Sequence, residues 1–324
     1  MPSFFFDLNF TGCGLAWLWR LLWEQEIGSS NLSIPTILNN PNSVNINEIG
    51  GSTIKLAVIA DIHTNMMSLN LAIHDALENN VDQFIFLGDY ITDGSWNNET
   101  LELIKKYGNY VIRGNRENYV LNYNPQRKLF ANYKTIANTY NDLTPENLNY
   151  IKSLPEAEII TINNYKILLI HGHSFDFNNL EKSFEIVMQK YDFDICLFAH
   201  NHKHSKTIYR NRLFLNPGTI AQPADTPTYK YCIVDLSEKP TVELREFDIK
   251  NTYEELKTQY ENSSYYKENL VWCKLILTGI QKGKYCIDPF LDEFNKYAEN
   301  IDKNNPTEFN ELWERTYKNI GGKL

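Results

Sequence analysis

Short apolar runs that stop abruptly at a carboxylate, an amide or a histidine recur along this chain. Ile54-Lys55-Leu56-Ala57-Val58-Ile59-Ala60 ends at Asp61, Phe84-Ile85-Phe86-Leu87 is stopped by Gly88-Asp89, and Tyr110-Val111-Ile112 leads into Gly114-Asn115. Between the first two, Leu69, Ala72, Ile73, Ala76 and Leu77 keep a helical period over residues 66–79. A second helix runs through Leu101, Leu103 and Ile104. Alternation of strand and helix specifies an α/β fold, whose ligands gather at the carboxyl ends of strands. Asp61, Asp89 and Asn115 each sit one to three residues past such an end.

Further along, residues 117–153 read as helices that flank or cover the body. One of them opens at Thr144-Pro145-Glu146, with threonine as cap and proline in the first turn. The second half is richer in strands. Ile159–Ile162 and Tyr165–Ile170 form a hairpin across Asn163-Asn164, and Ile195–Phe198 is a further strand. Lys206–Arg210 and Leu213–Leu215 flank a turn at Asn211-Arg212, and Tyr229–Val234 and Thr241–Glu246 complete the sheet material. Beyond residue 250 the pattern is helical, with Leu270, Trp272, Leu275, Ile276, Phe290, Phe294, Leu312 and Trp313 as apolar anchors. Three segments result: 1–50, an apolar N-terminal stretch and linker; 51–249, the α/β domain; and 250–324, a helical extension.

The 324 residues can bury a substantial core. A net charge of −9 argues against a standing DNA or RNA partner, because phosphate backbones are captured by basic surfaces. It leaves open a small anionic substrate, provided that metal ions supply local positive charge. Five cysteines, widely spaced and without a Cys-x-x-Cys, fit a reduced, cytoplasmic protein. Cys196 and Cys232 lie in apolar strand-like runs and read as core.

Residues 3–23 carry Phe4-Phe5-Phe6 and three tryptophans, but Asp7 and Arg20 interrupt the run. It falls short of the ~20 apolar residues that a membrane-spanning helix needs. No basic n-region or small-residue cleavage site marks a secretory signal. It reads as a helix packed on the body, as an interfacial segment touching a membrane, or as sequence from a misplaced start. Residues 28–50, rich in Asn, Ser and Pro, read as a linker.

Six of the seven histidines fall within motifs strung between Asp61 and His204. In order these are Asp61-Ile62-His63, Gly88-Asp89, Gly114-Asn115-Arg116-Glu117, His171-Gly172-His173 and His200-Asn201-His202-Lys203-His204. Imidazole nitrogens and carboxylate oxygens converging from several loops are what a hard-to-borderline metal requires. Asp89 can bridge two ions. Asp61 and His63, and likewise His200 and His202, have an i, i+2 relation that lets both side chains turn to one side. Two ions about 3.5–4 Å apart would clamp a phosphoryl group and create a hydroxide at neutral pH. Taken singly, His171, His200 or His202 reads as a hydrogen-bonded core histidine; the ordered set reverses that reading. His173 reads as a partner of the ligands or as structural, His204 and Lys203 as a solvated turn, Asn65 as a helix cap, and Asp93 as a turn residue before Gly94. His74 is assigned no function.

These five motifs, in this order, resemble the calcineurin-like metallophosphoesterase superfamily. Asn216-Pro217-Gly218 followed by Gln222-Pro223 is similar to a later signature of its small bacterial and archaeal phosphodiesterase branch. The resemblance spans roughly residues 54–248. It implies a four-layer α/β/β/α sandwich of two mixed sheets. It implies one ion on Asp61, His63, Asp89 and His202, and a second on Asp89, Asn115, His171 and His200. The ions would be Mn, Fe, Zn, Ni or Mg, with Mn favoured. A hydroxide held between them would attack a small phosphate ester in line, as phosphodiesterase or phosphatase.

Two positions depart from the family pattern. Ala199 stands for a glycine. Arg116 stands where the family has a histidine that protonates the leaving oxygen, and arginine cannot release that proton. Asn115, Arg116 and Glu117 are therefore read as the catalytic stretch, with Arg116, held by Glu117, gripping phosphate oxygens. Two other readings stand beside the phosphoesterase. Gly88-Asp89-Tyr90-Ile91-Thr92-Asp93-Gly94 is similar to a motif of serine/threonine phosphoprotein phosphatases but lacks its arginine. A metal-stabilised scaffold without catalysis is the third.

Overall fold

The computed structural model describes residues 53–302, 304–321 and 323. The expectations for residues 3–23 and 28–50 lie outside the described residues. Two five-stranded mixed sheets carry the fold. The first runs β10(Thr241–Asp248)-β9(Thr228–Leu236)-β1(Ile54–Ile59)-β2(Gln83–Phe86)-β3(Gly108–Val111). Its members β1, β2 and β3 are parallel, while β9 is antiparallel to both β1 and β10. The second runs β4(Ala157–Ile162)-β5(Tyr165–Ile170)-β6(Ile195–Leu197)-β8(Arg212–Asn216)-β7(Ser205–Tyr209), parallel at β5, β6 and β8 and antiparallel at both edges.

Strand alternation builds the layers. Leu56 and Val58 point to the space between the sheets, where they meet Ile167, Leu169, Leu197 and Leu215. Ala57 and Ile59, one residue out of phase, face helices α1(Met66–Glu78) and α2(Asn97–Tyr107). Leu168, Cys196 and Phe214 face outward from the second sheet onto Phe184 and Val187 of α6(Leu180–Lys190). The expected four-layer sandwich is therefore the observed one. Between β3 and β4 lie α3(Asn115–Leu121), α4(Lys134–Asp142) and α5(Pro145–Ser153), and Thr144 caps α5 as its sequence suggests.

After β10 come α7(Tyr253–Asn262), α8(Ser264–Glu268), α9(Leu270–Lys282), α10(Ile287–Ala298) and α11(Pro306–Ile320). Trp272, Phe290, Phe294, Phe309 and Trp313 join the same buried cluster as Ile59 and Phe86, so these helices extend the outer layer of the first sheet. Among the described residues, no helix is long and apolar enough to cross a membrane.

The β4–β5 turn is the expected one: Asn163 and Asn164 both hold the left-handed backbone (φ 46° and 66°) that a tight hairpin needs. The β7–β8 turn is displaced by one residue, to Arg210-Asn211 (φ 45° and 61°), with Tyr209 opposite Arg212. A turn one residue later would set Arg210 opposite Leu213, whose side chain faces the core between the sheets. The observed register pairs Ile208 with Leu213 instead, on an edge strand where Ile208 itself stays exposed.

Candidate metal centre

The expected ligands are carried by turns at the carboxyl ends of β1, β2, β5 and β6 and by the first residue of α3. The β1 and β2 turns are laced together: Ile62 and His63 donate their N–H groups to Asp89 O (2.8 and 3.0 Å), and Thr64 N–H donates to Tyr90 O (2.9 Å). Asp61, His63, Asp89, His200 and His202 all adopt positive φ, between 41° and 81°. Side chains with a Cβ rarely hold this conformation, and it costs about 1–3 kcal/mol per residue. Left-handed turns, rather than simple strand-like alternation, are thus what bring Asp61 with His63 and His200 with His202 to one side.

Two groups of ligand atoms result, Asp61–His63–His202 and Asp89–His171–His200, each with its atoms within 4.8 Å of one another. Asp89 Oδ2 lies 3.4 Å from His171 Nε2 and 3.9 Å from His63 Nε2, between the two groups. Asn115 Oδ1 lies 2.9 Å from His171 Nε2, beside the second group. The structure thus brings together all seven residues expected as ligands.

Imidazole orientation favours cations. His171 Nδ1 donates to Leu87 O and His202 Nδ1 to Gln222 O, both at 2.8 Å, which turns each Nε2 toward the cluster. His63 Nδ1 lies 3.1 Å from Asp93 Oδ2 without the alignment of a hydrogen bond, and its Nε2 is 3.3 Å from His202 Nε2. Asp61 Oδ2 accepts the His200 N–H at 3.2 Å, while Asp61 Oδ1 and His200 Nδ1 are buried without hydrogen-bond partners. Orphaned buried acceptors are costly in an apolar interior, and a cation relieves them. The residues present therefore fit divalent ions.

Without a metal the shifts diverge: burial would lower His171, but Asp89 and Asp61 raise it to about 9, so a proton sits where the carboxylates crowd. Burial, partly offset by His171, together with the Asp89 charge pushes the Asp61 carboxyl up to about 7. Burial would also raise Asp89, but His171, His63 and Arg116 outweigh it and hold Asp89 well below the usual carboxylate range. Burial, then His171, lowers His200 to about 4, and burial with His63 takes His202 well below its ordinary value. Both are neutral near pH 7 and free to ligate.

Beside this cluster, two expectations are corrected. Glu117 does not hold Arg116. Its carboxylate turns back on the loops and accepts the N–H groups of Asp89, Tyr90, Ile91 and Gly114. Neighbours on a helix do not face each other, and a glutamate in the first turn serves its own N-terminus. Nor is Asp93 only a turn residue: it lies in the expected bend before Gly94, but its carboxylate has partners of its own. It is fully buried, with Oδ2 3.3 Å from Arg116 Nη2 and 3.0 Å from Gln222 Nε2, and Oδ1 2.8 Å from Trp272 Nε1.

Several supporting residues had no signal as ligands. Thr219 Oγ1 donates to Asp61 O at 2.7 Å, and Asn216 Nδ2 donates to Ala199 O at 3.1 Å, which gives the Asn216–Gln222 segment its role as a brace. Tyr285, from the loop between α9 and α10, sets its ring edge-on to His202 at 5.2 Å between centroids. Asn65 caps α1, accepting the Ser68 N–H. His173 stays at the rim, its ring 6.0 Å from that of His171.

The family model described as the calcineurin-like phosphoesterase superfamily domain matches residues 54–239. An uncharacterized protein of Methanocaldococcus jannaschii is 28% identical over 222 residues, which are 62% of this chain and 91% of that protein. A protein of Mycoplasma genitalium named "probable metallophosphoesterase" is 30% identical over 93 residues, 26% of this chain and 55% of that one. In fold, a metallophosphoesterase from Sphaerobacter thermophilus superposes with a TM-score of 0.51 at 21% identity, covering 68% of this chain and 99% of that structure.

Proposed function

This chain belongs to the calcineurin-like phosphoesterase superfamily, and on that premise we propose that it hydrolyses small phosphate esters, phosphodiesters among them, with two divalent ions sharing Asp89. The observation that carries the reading is the paired arrangement of Asp61–His63–His202 and Asp89–His171–His200, with Asp89 Oδ2 reaching toward both. When bound, divalent ions supply positive charge for phosphoryl oxygens and lower the pKa of water to make a hydroxide nucleophile. Mixed nitrogen and oxygen ligation suits several divalent ions, and Mn²⁺ is the one favoured for the assay.

The chain's own residues supply orientation and charge. Asn115 and His171 meet at the second group, with Asn115 offering a neutral oxygen. Arg116 donates its backbone N–H to Asp89 Oδ1 at 2.8 Å, which fixes that carboxylate, and sets its guanidinium against Asp93. One guanidinium nitrogen rests on Asp93, and the remaining donors are the ones assigned to phosphate oxygens. Arginine keeps its proton, so leaving groups of low basicity are the substrates favoured.

The test is an assay of Mn²⁺-loaded protein on a chromogenic aryl phosphodiester and on the matching monoester, repeated with Asp89→Asn. Turnover that the substitution abolishes is the expected result. Full metal occupancy with no turnover on any phosphate ester sinks the hydrolase in favour of a scaffold.

A further inference from the structure

We propose that Asp93 is a positioning residue that holds the metal ligand His63 and the anion-binding Arg116 at once, and that the C-terminal helices lock it through Trp272 and Tyr260. The inference rests on the reading of this site as a divalent-metal centre.

Three features of Asp93 bear on its role. Its side chain is fully buried, although an aspartate needed only for a turn would leave its carboxylate in water. Its backbone is left-handed, with φ 71°. Its polar atoms are also contacted from four separate parts of the chain. Trp272 Nε1 donates to Oδ1, Gln222 Nε2 to Oδ2, and the Tyr260 hydroxyl to the carbonyl at 2.6 Å, while Arg116 Nη2 lies against Oδ2. Burying a charge with its partners is poor stabilisation, because an apolar replacement of the whole group is often neutral or better. What such a group does well is fix the orientation of what it touches.

Both residues that Asp93 orients belong to the site. Asp93 Oδ2 stands 3.1 Å from His63 Nδ1, so one ring nitrogen faces this carboxylate while Nε2 faces His202 and Asp89. The same Oδ2 restrains one end of the Arg116 fork, while the Trp272 ring lies 6.0 Å from the guanidinium carbon. Trp272 on α9 and Tyr260 on α7 lie beyond the part of the chain matched by the family model. The extension is thereby wired to the centre through one carboxylate.

The test titrates the full chain with Mn²⁺ by calorimetry, then titrates the loaded protein with inorganic phosphate, for wild type, Asp93→Asn and Trp272→Phe. Loss of a carboxylate behind a ligating histidine weakens metal binding by ~10–100-fold. In Asp93→Asn, one Mn²⁺ equivalent is therefore expected to weaken by that factor while the other holds, and phosphate binding is expected to weaken alongside. Trp272→Phe keeps the ring, removes the donor, and is expected to shift the same two quantities in the same direction by less. It decides the matter if Asp93→Asn does not fold. Unchanged Mn²⁺ and phosphate affinities in a folded variant, or equal weakening of both equivalents, overturns the proposal. Wild-type protein that takes up two Mn²⁺ yet turns over no phosphate ester removes the hydrolase reading and leaves this one intact.

Discussion

The Glu117 carboxylate accepts the Asp89 N–H at 3.0 Å and turns its back on Arg116, the residue before it. One oxygen takes the N–H groups of Asp89 and Gly114, and the other those of Tyr90 and Ile91. A single buried side chain thus ties the turn bearing Asp89 to the start of α3 bearing Asn115. Burial and the Asp89 charge raise the Glu117 pKa, and these backbone donors oppose them. Glu117→Gln places an amide donor against peptide donors. Each buried donor left without an acceptor costs about 1–3 kcal/mol. Urea unfolding of the metal-free protein is expected to show a loss of about 2–4 kcal/mol. A loss under half a kilocalorie would mean that the loops hold without it.

Gly88 and Gly114 meet back to back, and the two are expected to fail differently. Gly88 has φ +97°, and a Cβ there would stand 2.5 Å from Gly114 N. Neither the conformation nor the contact can relax cheaply, so Gly88→Ala is expected to cost about 2–4 kcal/mol in unfolding experiments. Gly114 has an ordinary backbone, but its Cβ would fall 2.2 Å from Asp89 Oδ1. Gly114→Ala is therefore expected to displace the Asp89 carboxylate, and its main symptom should be lost Mn²⁺ uptake. Calorimetric titration giving wild-type stoichiometry and affinity for Gly114→Ala would refute this.

The ligands could be read from the sequence because each lies just past an apolar run, and a strand that ends at Asp61 or Asp89 has few places to put that residue. The Asn163-Asn164 turn was equally legible, since few residue pairs accept two successive left-handed conformations. What escaped was set by distant partners. Asp93 before Gly94 has the local chemistry of a turn, and its burial depends on Gln222 and Trp272, 129 and 179 residues away. The pairing of Arg116 with Glu117 was a local error: adjacent helix positions diverge, and a glutamate three residues past Gly114 signals a capping role. The left-handed backbones at Asp61, His63, Asp89, His200 and His202 could not be read from residue type, because Asp and His are enriched at positive φ yet take it at only a minority of positions.

Arg245 grips Asp75 with two donors, Nε to Oδ2 at 2.8 Å and Nη2 to Oδ1 at 2.5 Å, and the Tyr231 hydroxyl donates to Oδ2. This joins α1 to β9 and β10. Burial would raise the Asp75 pKa, but Arg245 and Tyr231 outweigh it and the net shift is downward. A carboxyl depressed in the folded state stabilises above its unfolded pKa and loses that contribution as pH falls through the folded value. Asp75→Asn is accordingly expected to cost about 1 kcal/mol at neutral pH, the upper range for a partly exposed pair. The gap from wild type should stay constant down to the ordinary value of 3.8 and close below it. Urea midpoints across that range check the sign, and a gap that widens in acid contradicts it.

On the proposed reading, Arg116 decides what kind of ester the site cleaves. Its guanidinium is buried against Asp93, which raises its pKa above the ordinary value despite the burial that would lower it. It therefore supplies charge and hydrogen bonds but no proton. A leaving group that is already a weak base needs no proton, whereas an alkoxide does. Arg116→His places a titratable ring beside Asp93, and a positioned general acid contributes ~10²–10⁴-fold where protonation limits the rate. The substitution is expected to raise kcat on alkyl phosphate esters relative to aryl esters by about tenfold or more. At the same time KM should rise for both, because a bidentate phosphate grip is lost. The check is a plot of log kcat against leaving-group pKa for the two proteins. A shallower slope for the histidine variant supports the role given to Arg116, and parallel lines displaced by a constant remove it.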